Sequence, residues 1–236
     1  MTKEFKRPDG RKVDEIREMK AKVGIIPNAD GSAMFQFGDT IAIAAVYGPK
    51  EMHPQHSQNP EKGVLRCNYN MMSFSVTDRI KPGPSRRSQE ISKITEWALS
   101  PIVMLDEFPS TVVDVNIYIL QANASTRCAG INAAALALAH AGVPMTDLIT
   151  SVSVGKIDNQ IVVDVIKEEE DYEEGEGSTD IAMSFKSSSG DLTHLQLDVK
   201  IRGEELREAI EAGKKACKKI YEIQKKVLKQ VGMEEA

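Results

Sequence analysis

The sequence predicts an α+β fold of two similar halves, and three observations carry that prediction. Short β-type runs separated by turn residues give way to helix-period stretches, and the succession occurs twice along the 236 residues. Ser125–Ala141 is rich in alanine, which suits a helix packed closely against another element. Glu204–Gln230 is a long charged helix with one apolar seam at Leu206, Ile210, Ile220, Ile223 and Val227. The halves share little sequence, and no short-period repeat is present.

In chain order, strand-like runs cover Glu18–Ile25, Ser32–Phe37 and Thr40–Tyr47, separated by turn chemistry at Asn28–Gly31 and Gly38–Asp39. Ile41–Val46 is apolar on both faces and reads as a buried strand. His53–Lys62 is a polar, proline-punctuated loop, and the stretch Gly63–Val76 returns to β. Ser88–Met104 has helical spacing through Ile91, Ile94, Trp97, Ala98 and Pro101. Ser110–Leu120 alternates as a strand does, and the alanine-rich helix after it is stopped by Gly142 and Pro144. Two strands follow, Thr150–Gly155 and Gln160–Val165, around an Asp158–Asn159 turn. Glu168–Glu173 reads as a solvated acidic loop. A hairpin of Ile181–Lys186 and Thr193–Ile201 precedes the last helix. The expectation is a single domain over residues 1–236, with a short N-terminal arm and a frayed C-terminal tail.

Composition excludes several classes. No apolar run approaches the roughly 20 residues of a membrane span, and the N-terminus lacks an apolar signal region, which predicts a cytoplasmic protein. The three cysteines, Cys67, Cys128 and Cys217, are scattered, which argues against a disulfide framework or a zinc site and makes each a small buried hydrophobe. Net charge is −5, so any site for a polyanion must be local.

Three features carry chemistry. In "PGPSRRSQE", Pro82–Glu90, Ser85 is a good helix N-cap, yet Arg86 and Arg87 sit in the first turn, where the helix dipole disfavours cations. In "NASTRCAG", Asn123–Gly130, small residues hand a strand to a helix, with Ser125, Thr126 and Arg127 at its start. Such a turn brings backbone N–H groups up to an anion. Asp180 opens the apolar strand "DIAMSF", six residues after Glu174. Each has a plain alternative: a solvated face, an ordinary cap with close helix packing, or an acidic loop. Together they are more specific. Two arginine-bearing helix starts would be neutralised by a bound phosphate, which the guanidinium fork grips bidentately. A nearby carboxylate would then move a proton or hold a metal, a constellation for chemistry at phosphorus.

These residues bring a family into view. The chain resembles the RNase PH family of phosphorolytic 3′→5′ exoribonucleases, through "RPDGR" (Arg7–Arg11), "GDT" (Gly38–Thr40), "RRSQEISK" (Arg86–Lys93), "LQANASTRCAGINAA" (Leu120–Ala134) and "STDIAMSF" (Ser178–Phe185). Within the family, "NYNMMSFSVTDRIKPGPSRRSQEISK" is most similar to the catalytic ring subunits of archaeal exosomes. The resemblance implies two βαβα-type halves like the second domain of ribosomal protein S5. It implies that Arg87 and Ser125, Thr126 and Arg127 hold inorganic phosphate as co-substrate, and that Arg86 and Arg87 grip RNA near its 3′ end. Asp180 would be the general acid, or would hold Mg2+ with Glu174. Arg66 matches an arginine near the loop that guides RNA through a central pore. The implied partners are RNA, a catalytically silent paralogue completing a six-membered ring of three heterodimers, and cap subunits of the S1/KH type. The alternatives are a homohexameric enzyme that trims tRNA 3′ ends, a non-catalytic RNA-binding ring subunit, and a phosphate-binding module without activity. Three departures stand out: Glu174 stands where the family often has Asp six residues before Asp180, and the other two lie in the phosphate turn. Asn123 replaces an acid and Ser125 a glycine of the usual phosphate turn, and serine fits without strain only if its φ is negative.

Overall fold

The computed structural model describes residues 6–173, 177–197 and 199–234. The first half is a five-stranded sheet of β1 (Met19–Val23), β2 (Gly31–Phe37), β3 (Thr40–Glu51), β4 (Val64–Met71) and β5 (Thr111–Gln121), in spatial order β1-β2-β3-β5-β4. Only β4 and β5 run parallel; α1 (Arg86–Leu99) lies in the crossover between them and packs on β4. The second half is an antiparallel sheet of β6 (Ile149–Ile157), β7 (Gln160–Val163), β8 (Ser178–Lys186) and β9 (Leu192–Leu197), ordered β7-β6-β8-β9. The helix α2 (Thr126–His140) joins the halves, α3 (Lys167–Glu170) is a single turn before β8, and α4 (Gly203–Glu234) closes the chain.

The alanines of α2 have the purpose the sequence suggests. The helix contacts β2, β3 and β5 on one side and β6 and β8 on the other, and twelve of its 15 residues are buried. A helix enclosed all round has no polar face to keep. Small side chains also set the approach: a Cβ on Gly31 of β2 would lie 2.3 Å from the Ala137 carbonyl oxygen. One continuous core results, running from Phe35 and Ile117 through Leu136 to Val152, Phe185 and Ile220.

Several element expectations are corrected. Helix α1 ends at Leu99 rather than Met104: Ser100 still has helical backbone angles as the C-cap, but Pro101 has no N–H with which to continue the i→i−4 bonds. Trp97 is 60% exposed and is not on the buried stripe, which runs through Ile91, Ile94, Thr95 and Ala98; Lys93 lies over its ring. Strand β4 stops at Met71, and Met72–Val76 leave the sheet. The seam of α4 passes through buried Ala209, Ala216, Cys217, Ile220 and Gln224, with Ile223 and Val227 at its margin. Gln224 is tolerated there because its amide donates to the Ile149 carbonyl at 3.1 Å. All three cysteines are free and buried, as their scatter predicts.

The largest correction concerns the acidic run. Residues 167–170 form α3, and Glu169 is fully buried. Its carboxylate accepts from Arg7 Nε at 2.7 Å and Nη2 at 3.0 Å. The same guanidinium donates to the carbonyls of Lys12, Glu15, Val163 and Asp164, which ties the N-terminal segment to the second sheet. Removing one partner of such a pair leaves a buried charge alone and costs about 3–5 kcal/mol. Arg7→Ala is expected to lower unfolding stability by that amount in urea titrations; a loss under about 1 kcal/mol would refute the structural role.

Candidate active site

A cavity of about 440 Å³ opens where the two halves meet. Arg87 of α1, Ser125, Thr126 and Arg127 of α2 and Asp180 of β8 all line it, so elements far apart in sequence deliver the predicted residues to one place.

Arg87 reaches the cavity because α1 begins where the sequence places it. Ser85 caps the helix: its Oγ accepts from Ser88 N at 3.0 Å, and Ser88 Oγ accepts from Ser85 N at 2.7 Å. No acidic residue occupies the first turn. Among the described residues Arg87 has neither an ion pair nor a side-chain hydrogen bond, and it is exposed. Arg86, one step around the helix, is exposed as well but does not line the cavity.

The start of α2 is unusual. Ala124 and Ser125 both have φ of 53°, in the left-handed region, which costs a residue with a Cβ roughly 1–2 kcal/mol. Ser125 therefore does not take the negative φ that would fit serine without strain, and its hydroxyl does not cap the helix. That hydroxyl turns inward, donating to the Val165 carbonyl at 3.1 Å and to Asp164 Oδ1 at 3.3 Å. The Ser125 hydroxyl, expected to be offered to an anion, is thus engaged with acceptors of the protein in this structure. The first-turn amides of a helix have no partner within the helix, so an uncapped N-terminus facing a cavity is an anion site in waiting. Asn123, the other departure in this turn, keeps the acceptor an acid would supply: its Oδ1 accepts from Lys167 N, the first amide of α3, at 3.0 Å.

Arg127 projects from the first turn of α2 and donates to Gln196 Oε1 of β9, whose Nε2 donates to Glu90 Oε1 of α1 at 3.1 Å. This chain fixes Arg127 between the halves. His194, also on β9, is held below the ordinary histidine pKa by burial and by the Arg127 charge, so it stays neutral and does not compete for an anion. Asp180 accepts a hydrogen bond on Oδ1 from the Ser153 hydroxyl of the neighbouring strand. Cys128 also lines the cavity, but burial pushes its thiol up to about 12, which removes it as a nucleophile at neutral pH. Glu174 lies outside the described residues.

Arg66 is elsewhere. It stands on β4 and grips Asp114 through Nε at 2.5 Å and Nη2 at 2.8 Å, with Lys50 on the same carboxylate at 2.7 Å. Partial burial opposes ionisation of Asp114, but the two cations overcome it and hold its pKa below the usual range. Three charges of which two are positive leave the cluster net cationic. Along the strand it lies five residues from Met71 at the cavity wall, roughly 17 Å at 3.3 Å per residue.

Residues absent from the sequence reading also form this wall. Ser153 has a signal in hindsight: Ser151 and Ser153 alternate with valines, placing hydroxyls on one face of a buried strand. Lys167, Glu170 and Asp78 of the wall have none, nor does Gln196, which lies outside the wall but holds Arg127, because only the tertiary arrangement brings them to the site.

Residues 15–144 match the model of the 3′ exoribonuclease family, domain 1, and residues 147–216 that of domain 2. The chain is 48% identical over 225 residues to the exosome complex component Rrp41 of Thermococcus kodakarensis, covering 95% of this chain and 89% of that one. It is 43% identical over 224 residues to the Rrp41 of Methanopyrus kandleri, covering 95% and 92%. Among solved structures, rice Rrp46 superposes with a TM-score of 0.82 at 25% identity, over 94% of this chain and all of that one. The fold is also that of a chain in the Archaeoglobus fulgidus exosome with RNA bound to the active site, with a TM-score of 0.77 at 24% identity over 92% of each.

Proposed function

The chain belongs to the 3′ exoribonuclease family of the RNase PH type, and from that premise we propose that it is the catalytic ring subunit of an archaeal-type exosome, trimming RNA 3′ ends by phosphorolysis. The observation that carries the reading is the convergence of Arg87, Arg127, the uncapped start of α2 and Asp180 on one cavity.

Inorganic phosphate sits at the α2 N-terminus, held by its amides, Thr126 and Arg127. One of its oxygens attacks the last phosphodiester. The bond from phosphorus to the 3′ oxygen of the preceding nucleotide breaks, and a nucleoside diphosphate leaves. Arg87, unpaired and exposed, holds the scissile phosphate and balances its growing charge. Arg86, directed outside the cavity, holds the RNA backbone upstream. Asp180 delivers a proton to the departing 3′ oxygen. The donor set also suits Mg2+, which takes one or two carboxylates and completes its shell with water and phosphate oxygens. Asp180 would hold the ion, which when bound supplies charge neutralisation at the phosphoryl oxygens. One phosphate linkage is exchanged for another, so excess nucleoside diphosphate adds tails in reverse.

Arg66 serves the approach rather than the chemistry. Arg66→Ala is expected to weaken binding of long RNAs and to spare very short ones, with a smaller loss at higher salt because phosphate contacts exchange with counterions. Filter binding across RNA lengths reads this; an equal loss for the shortest substrates would place Arg66 at the reacting end.

A chain of net charge −5 is a weak trap for a polyanion on its own. Several such sites around one pore gain roughly 10²–10⁴ by avidity. Phe74, 69% exposed, and Trp97 offer apolar surface that neighbouring subunits would cover. The family resemblance supplies the partners of this reading: a silent paralogue alternating with this chain in the ring, and RNA-binding caps. The test is trimming of a labelled RNA with and without phosphate, read beside sedimentation. Phosphate-dependent ladders that become processive on mixing with the paralogue are the expected result. Full processivity from a sedimenting monomer would overturn the ring, a homohexamer would indicate the tRNA-trimming type, and RNA binding without cleavage a non-catalytic subunit.

A further inference from the structure

The strained turn before α2 is not supported by its own sequence. Ala124 and Ser125 lack the freedom of glycine, yet both are left-handed. Such backbone persists only where its surroundings over-determine it. Here the surroundings are three side chains from distant parts of the chain. Thr40, fully buried at the start of β3, accepts from Asn123 N at 2.9 Å. Its own proton is shared between the Asn123 and Ala124 carbonyls, each at 2.9 Å. Arg17 donates from Nη1 to the Asn123 carbonyl at 2.7 Å. The Arg17 fork is itself fixed on Asp164, by Nε at 2.8 Å and Nη2 at 2.6 Å, and Asp164 is fully buried. Arg17 N at 2.9 Å and Arg11 Nη1 at 3.2 Å complete that carboxylate's partners beside the Ser125 hydroxyl.

We propose that Thr40, Arg17 and Asp164 are positioning residues, a clamp that imposes the left-handed turn at 124–125 and so aims the α2 amides and Arg127 at phosphate. None of the three lines the cavity. The proposal rests on the phosphate reading of that cavity. It gives a task to the "GDT" segment and, through Arg11, to "RPDGR", neither of which touches the reacting groups. A clamp of this kind acts on the affinity for phosphate more than on RNA, because the turn it holds is the phosphate cradle.

Thr40→Val keeps the shape and removes the hydroxyl. In the full-length protein, assembled as for wild type, it is expected to raise the KM for phosphate at least tenfold, with RNA affinity within about twofold. Thr40→Ser, which restores the hydroxyl, is expected to return the KM to near the parent value. A merely structural role would lower the melting temperature or kcat and leave this split unseen. If Thr40→Val fails to fold, Arg17→Lys is read the same way, since it keeps a cation beside Asp164 but loses the fork. Phosphate dependence of the parent is measured first. Its absence sinks the phosphate reading and the clamp with it; its presence, with an unchanged KM in the folded variant or a serine variant as defective as valine, sinks the clamp alone.

Discussion

Asp180→Asn is expected to lower both trimming and tail addition by about 10²–10⁴, the range over which a positioned acid or base contributes. Asparagine keeps the shape and the acceptor that the Ser153 hydroxyl uses, so the cavity wall stays intact. What is lost is the carboxyl function, either a proton for the 3′ oxygen or a ligand for Mg2+. Because forward and reverse reactions share one transition state, the two must fall together. RNA affinity is expected to stay within a few-fold, since Asp180 carries no positive charge to the backbone. Single-turnover rates in both directions test this, and a variant within tenfold of wild type would remove Asp180 from the chemistry. Varying Mg2+ then divides the two roles: a metal ligand's loss is partly offset by more ion, whereas an acid's is not.

Arg127→Ala is expected to raise the phosphate requirement far more than it weakens RNA binding. Losing a hydrogen bond to a charged group costs about 1.5–3 kcal/mol, or roughly ten- to hundred-fold in phosphate KM. The prediction is sharpened by the contact between Arg127 and Gln196, which pre-sets the guanidinium so that little rotamer freedom is lost when phosphate arrives. Arg87→Ala should divide its losses differently, lowering kcat as well, since its charge faces the phosphate that is attacked. Steady-state kinetics with phosphate and RNA varied separately distinguish the two, and equal losses in both substrates for Arg127→Ala would assign that residue to RNA.

Much of this site could be read from the sequence, for a physical reason. Arg87 and Arg127 lie in helix first turns, where the dipole opposes them, and a residue placed against its local preference points to a ligand. Asp180 is visible because it opens an apolar strand directly after the acidic segment. The alanine content of α2 likewise announced a helix enclosed between layers. What stayed hidden depended on tertiary partners. Glu169 looks like its acidic neighbours until Arg7 arrives from 162 residues away. Which of Arg86 and Arg87 faces the cavity depends on the angular setting of α1, and Trp97 fits the apolar period yet lies outside the buried stripe. The left-handed form of Ser125 runs against serine's own preference and is imposed by Thr40, Arg17 and Asp164.

The central claim is that phosphate, not water, breaks the RNA chain, and oxygen labelling tests it most directly. RNA is trimmed by the assembled protein in phosphate labelled at all four oxygens with oxygen-18, and the released nucleotides are weighed by mass spectrometry. Attack by a phosphate oxygen on the RNA phosphorus carries every labelled oxygen into the product, so the account predicts nucleoside diphosphates bearing the full label. Unlabelled nucleoside monophosphates, released at the same rate without phosphate, would contradict it.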